Sequence, residues 1–183
     1  MFKLILLLVA LCVSLPVYAQ SSFYTYLDRC KDYRSQIEAI LKEEGLPLYF
    51  FYLALAESGC KPDNKSDKNA KGLYQLVPRT FRVYSVGVCY PDKPCPQDMI
   101  YDPIISSRVA AKYLKSLYDR FDHNLDWTIA AYNVGGTNLK RKLGYVQGMD
   151  IGRVKGIYPQ AYNLAMKVRR FSKIDSTVEK SDL

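Results

Sequence analysis

The chain has 183 residues, of which 49% are hydrophobic and 13% aromatic, which is enough apolar material for one buried core and too little length for several domains. Its formal net charge of +8 points to polyanionic surroundings such as a cell envelope, a membrane surface or nucleic acid. A single histidine, His123, and the lack of any CxxC pair make a zinc site a poor reading, and no cofactor is expected.

Residues 1–19 begin Met-Phe-Lys, continue with an apolar run from Leu4 to Val13 and end on Val17-Tyr18-Ala19, the charged, apolar and small-residue order of a secretory signal peptide. A membrane anchor is the competing reading, but the run is shorter than the ~20 residues a bilayer needs and Pro16 closes it. A lipoprotein signal fits less well, because Leu11 stands before Cys12 where a small residue belongs. Removing 19 residues from 183 leaves 164, and only Lys3 is charged in the removed piece, so the remainder carries +7. The expected organisation is a signal peptide over 1–19, one domain over 20–174 and a flexible, charged tail over 175–183. The remainder keeps Cys30, Cys60, Cys89 and Cys95, an even number that suits an exported chain with two disulfides. Three pairings are possible, and the short Cys89 to Cys95 separation favours a local clip that leaves Cys30 with Cys60.

Along the chain, segment 22–44 spaces Phe23, Tyr26, Leu27, Tyr33, Ile37, Ile40 and Leu41 as one face of a helix. Pro47 opens a second helix whose stretch from Leu48 to Ala56 is apolar almost throughout, as in a buried helix, and Gly59 is placed to cap it. Lys61 to Lys71 is nearly all polar and reads as an exposed loop. A short helix is expected over Pro78 to Tyr84. Asp102-Pro103 then caps the clearest helix, with a stripe of Ile104, Ile105, Val109, Tyr113, Leu114, Leu117 and Phe121. Another apolar helix runs from about Asp126 to Tyr132 and breaks at Gly135-Gly136. A Lys/Arg-rich segment with four glycines follows, and Pro159 to Phe171 is helical again. No segment alternates as a strand.

Glu57 is the acid in the least comfortable setting. It follows nine mainly apolar residues and stands at the negative end of a helix dipole, and both effects disfavour its ionised form. A carboxylic acid that keeps its proton near neutral pH is what glycosidic cleavage requires of a proton donor. The structural alternative is a helix-terminal Glu that merely meets water.

The residues around it weigh against that alternative. Glu57-Ser58, Pro62 and Ser66 are followed by Gly72-Leu73-Tyr74-Gln75-Leu76 with Pro78 and Thr80, then by Ala130-Ala131-Tyr132-Asn133-Val134-Gly135. In this order the chain resembles the soluble lytic transglycosylase family, related in fold to goose-type lysozyme, from about Leu46 to Val168. The resemblance implies a mainly α, lysozyme-like single domain of about six to eight helices around a substrate cleft. It further implies cleavage of the β-1,4 bond between N-acetylmuramic acid and N-acetylglucosamine, leaving 1,6-anhydro ends. Four positions depart from the family pattern: Tyr74 and Val77 stand where Met is usual, Val134 replaces an Ala, and Ser106 falls where Asn is frequent.

By the same resemblance Glu57 is the catalytic acid, and Ser66, Gln75, Tyr132, Asn133 and Tyr162 bind substrate through hydroxyl and amide groups. Each has a structural alternative as a turn residue, a loop-capping amide or a half-buried ring. Asp63 and Asp67 read as solvated loop acids, Asp102 as a helix cap and His123 as a surface imidazole, so a second catalytic carboxylate and a nucleophilic triad are both disfavoured. The expected partner is the peptidoglycan glycan strand, met by a monomer in the periplasm or outside the cell, with envelope secretion or conjugation machinery as a further partner and nucleic acid excluded. The rival readings are a hydrolytic muramidase of the same fold and a glycan-binding component of such a machine.

Overall fold

The stretch from Phe50 to Ala56 is almost wholly apolar because every residue of it but Tyr52 is buried. In the computed structural model, which describes residues 2–181 and the side chains of 21–176, Phe50, Phe51, Leu53, Ala54 and Leu55 are each at most 1% exposed. They form a 3-10 turn, Leu48–Phe50, and helix α2, Phe51–Ser58, packed between α1, Phe2–Glu43, and α8, Pro159–Ser181.

Helix α1 buries Phe23, Cys30 and Ile37, a stripe at seven-residue spacing, with Ile40 and Leu41 continuing it. It is one continuous helix from Phe2, where the pattern of apolar residues suggested a start near 22. No helix among the described residues is long and apolar enough to cross a membrane. Helix α8 buries Ala161, Leu164, Ala165, Val168 and Phe171 at helical spacing. Asp175, the first residue of the expected tail, is buried and accepts hydrogen bonds from Arg34 Nη2 at 2.7 Å and Tyr52 Oη at 2.6 Å. Residues 182 and 183 of the expected tail lie outside the described residues.

Helix α3, Pro78–Tyr84, leads through the loop closed by Cys89–Cys95 and a second 3-10 turn, Gln97–Tyr101, to α4, Pro103–Arg120. The Asp102 carboxylate caps α4 by accepting from the Ile104 and Ile105 N–H groups at 2.9 and 2.8 Å. Helix α5, Leu125–Val134, is capped by Asn124, whose side chain accepts from Trp127 N–H at 3.1 Å. The Lys/Arg-rich segment after it, to which the sequence pattern assigned no element, forms two short helices, α6, Gly136–Leu143, and α7, Gly152–Ile157. Each is held by one buried aliphatic anchor, Leu139 and Val154, a signal too sparse to register as periodicity. The architecture is mainly α, with no strand among the described residues. The second disulfide, Cys30–Cys60, with Cα atoms 5.5 Å apart, ties α1 to the chain just beyond α2.

Candidate active site

Helix α2 stops at Gly59, which adopts the left-handed conformation (φ 61°, ψ 34°), so Glu57 stands in the last turn. From there the chain doubles back. Lys71 bridges to both Lys65 and Leu76, which folds residues 64–76 into a compact loop beside the helix end. Ser58 Oγ donates to the Leu73 carbonyl at 2.8 Å and accepts from Lys61 N–H at 3.1 Å, fastening loop to helix. Gly72 (φ 74°) passes so close to the 3-10 turn that a Cβ there would lie 2.2 Å from the Ile100 carbonyl oxygen. Only glycine fits.

This folding opens a cavity of about 510 Å³ lined by Glu57, Ser66, Gln75, Tyr132 and Asn133. Five of the six residues singled out by sequence therefore share one wall system. Tyr162 does not line the cavity; its ring lies under the Lys155 ammonium, 5.7 Å from the nitrogen, and the residue that reaches the cavity from the start of α8 is Gln160. Lys68, Ala70, Leu76, Val77, Thr80, Tyr113, Val134 and Gly135 complete the polar and apolar lining, and the sequence analysis singled out none of them as a site residue. Tyr113 sits in the apolar stripe of α4, so periodicity placed it in the core; its ring packs 5.1 Å from that of Tyr132.

The polar groups are held firmly. Tyr132 Oη donates to the Tyr74 carbonyl at 2.8 Å, Gln75 Nε2 donates to the carbonyls of Asn64 and Gly72 at 3.2 and 2.9 Å, and Ser66 Oγ accepts from Ala70 N–H at 3.0 Å. The structural roles foreseen as alternatives for Gln75 and Ser66 thus coexist with their place in the cavity wall.

Glu57 is the only carboxylate in that wall. Burial pushes its pKa up from 4.5 to about 7, against the opposing pull of the Lys167 ammonium. Its environment therefore leaves a large fraction protonated near neutrality. Burial, and then the Glu57 charge, hold the Tyr132 phenol well above its ordinary value, and burial pushes Tyr113 up to about 12, so both rings stay neutral hydrogen-bonding groups. Asp63 and Asp67 are exposed, Asp102 is spent on its cap, and His123 pairs with Asp119 at 3.2 Å on the surface. Among the described residues no group of three His, Cys, Asp or Glu side chains is placed to hold a metal ion.

A largely protonated carboxyl in a cavity walled by amides and phenols meets a matching family at this point: the model described as the transglycosylase SLT domain covers residues 34–153. The chain belongs to the SLT domain family. Membrane-bound lytic murein transglycosylase D of Escherichia coli K12 is 29% identical over 107 residues, 58% of this chain and 23% of that protein. A putative tributyltin chloride resistance protein of Alteromonas sp. strain M-1 is 29% identical over 144 residues, 79% of this chain and 67% of that one. The structure of an inactive mutant of the lytic transglycosylase Slt from Pseudomonas aeruginosa superposes with a TM-score of 0.70 at 22% identity, covering 81% of this chain and 24% of that one, a likeness of fold. The SLT domain here thus spans about a quarter of the length of the named transglycosylases it matches. Helix α8 beyond Pro159, with Lys167 and Asp175, lies outside the matched span. Two of the four departures from the family pattern, Tyr74 and Ser106, are the two residues whose buried side-chain hydroxyls have no hydrogen-bond partner among the described residues.

Proposed function

We propose that the chain is a peptidoglycan lytic transglycosylase that cleaves the β-1,4 bond between N-acetylmuramic acid and N-acetylglucosamine. The observation that carries the reading is the solitary Glu57: the cavity holds one carboxyl group, desolvated enough to keep a proton near pH 7, and no second carboxylate to activate water or trap a glycosyl intermediate. In the proposed reaction protonated Glu57 gives its proton to the glycosidic oxygen as the bond from that oxygen to the muramic C1 breaks. The Glu57 carboxylate then takes the proton of the muramic C6 hydroxyl while that oxygen bonds to C1. The proton lost in the first step is recovered in the second, no water is consumed, and the muramic residue ends as a 1,6-anhydro ring.

Ser66, Gln75, Tyr132 and Asn133 suit the binding of sugar hydroxyls and acetamido groups, since none of them competes with Glu57 as an acid. The Tyr132 ring stands beside Glu57, and its hydroxyl is anchored to the Tyr74 carbonyl, so its part is to shape and desolvate the acid's surroundings. Tyr162 is outside the cavity lining, so the proposal gives it no contact with the sugar. Export to the periplasm or beyond belongs to the same proposal, supported by the leader-like order of residues 1–19 and by two disulfides that an oxidising compartment would maintain.

The deciding experiment digests purified peptidoglycan with the protein and identifies the new chain ends by mass spectrometry. Anhydro-muramyl ends are the expected product. Reducing muramyl ends would assign the fold to a hydrolase, and intact strands would leave it a binding protein.

A further inference from the structure

Part of the positive charge on this molecule is neutralised in ion pairs and part is not. Arg34, Arg108, Lys115 and Arg169, spread over α1, α4 and α8, each pair with a carboxylate. The segment 136–158, which comprises α6, α7 and the turns between them, carries Lys140, Arg141, Lys142, Arg153 and Lys155 against one acid, Asp150. All five cations are exposed, and none forms an ion pair among the described residues. The Asp150 carboxylate is itself occupied, accepting from Gly152 N–H at 2.7 Å.

This segment is anchored and sits at the cavity. Trp127 Nε1 donates to the Met149 carbonyl at 2.8 Å, Tyr145 Oη donates to the Phe121 carbonyl at 3.0 Å, and Leu139, Tyr145 and Val154 are buried. The chain leaves the cavity wall at Gly135 and rejoins it at Gln160. Along α6, Lys140 to Lys142 lie roughly 8–10 Å beyond Gly135 at ~1.5 Å per residue. The wall itself contains one further cation, Lys68.

We infer that the α6–α7 segment is a docking surface for the carboxylates of the peptide attached to the glycan strand lying in the cleft, and that the enzyme prefers peptide-bearing strands to bare ones. The inference rests on the cleft being a glycan site, as proposed above. A peptide joined through its N-terminus to the muramic lactyl group has lost its amino charge and keeps its terminal carboxylate and any acidic side chains, so it is an anion tethered at the cleft. Four to five residues of extended peptide span roughly 13–18 Å, which covers the distance to α6. Fixed, unpaired cations within reach of a tethered anion attract it without needing a shaped pocket, and the attraction weakens with salt.

The test compares kcat/KM on strands with peptides intact and on the same strands stripped by an amidase, at low and physiological salt. The wild type should favour intact strands by roughly tenfold at low salt, as expected for several exposed charge pairs, with the preference shrinking as salt rises. Replacing Lys140→Gln, Arg141→Gln and Lys142→Gln together should abolish most of the preference and leave the rate on stripped strands unchanged. Equal wild-type rates on both substrates, a variant that retains the preference, or equal slowing on both substrates would each overturn the inference. Cosedimentation of the Glu57→Gln variant with the two strand types, with and without the three Gln substitutions, reads the same preference without turnover. It therefore separates failure of the docking surface from failure of the assigned reaction. Loss of binding to anionic phospholipid vesicles with unchanged binding to both strands would also overturn it and give the segment to a membrane surface.

Discussion

The Lys167 ammonium donates to the Ala56 carbonyl at 2.6 Å, so a cation from α8 closes the C-terminal end of α2 one residue before Glu57. Its field opposes the desolvation of the acid, and desolvation wins, leaving Glu57 at about 7. Burial in turn lowers the Lys167 pKa, with Glu57 countering it. Glu57 must be protonated to donate, so the cleavage rate should fall as pH rises through about 7. Lys167→Met removes the opposing charge and should move that fall to higher pH, whereas Lys167→Arg should leave it in place. A pH–rate profile in which all three proteins decline together would show that Lys167 does not set the acid.

Glu57→Gln should abolish strand cleavage and change stability in a pH-dependent way. The folded-state pKa lies above the ordinary value, so the folded protein holds more protons than the unfolded chain between about 4.5 and 7, and Glu57's contribution to stability is lost as pH rises across that window. The Gln variant carries no such penalty. It should match the wild type near pH 4 and exceed it at pH 8 by up to about 3 kcal/mol, the energy of the full shift. Urea unfolding at the two pH values measures the difference, and a variant less stable than wild type at pH 8 would contradict the burial of this carboxyl.

Much of this arrangement is legible in the sequence because it rests on local rules. Gly59 ends α2, Asp102 caps α4, and the unbroken apolar run of α2 announces a helix enclosed by others. The ordered motifs mark Glu57, Ser66, Gln75, Tyr132 and Asn133, and these line one cavity. What stays hidden depends on packing at a distance. Tyr113 has the same spacing as its core neighbours on α4, and only the approach of α5 makes it part of the wall. Gln160 reaches the cavity while Tyr162, two residues on, lies under Lys155, a difference of helix phase that no motif records. The Arg34–Asp175 pair that ties α1 to α8 joins residues 141 apart in sequence.

Tyr74 and Tyr132 predict opposite responses to losing a hydroxyl. The Tyr74 phenol is buried with no hydrogen-bond partner among the described residues, so Tyr74→Phe removes a desolvated polar group and should be neutral or stabilising by about 1 kcal/mol. Tyr132→Phe strips the donor from the Tyr74 carbonyl and should cost about 1–2 kcal/mol while lowering the cleavage rate, because it disturbs the ring beside Glu57. Thermal unfolding of both variants checks the pair. A marked loss of stability in Tyr74→Phe would mean that its hydroxyl has a partner after all, such as a buried water.

Gly72 joins the fold to the site most directly. Its positive φ and the Ile100 carbonyl 2.2 Å from a would-be Cβ allow no side chain, and the Ile100 oxygen belongs to backbone that cannot swing aside. Gly72→Ala should therefore push the loop away from the 3-10 turn and cost more than about 2 kcal/mol. The displacement passes to Gln75 through its 2.9 Å bond to the Gly72 carbonyl and to Ser58 through Leu73, so activity at a temperature where the variant is still folded should drop as well. Gly45 offers an internal comparison, since its φ is also positive while, its chain neighbours aside, no atom of the described residues lies within 4 Å of its would-be Cβ. Gly45→Ala should lose stability through backbone strain alone and retain full cleavage. Equal activity losses in the two variants would show that the approach to Ile100 does not govern the catalytic loop.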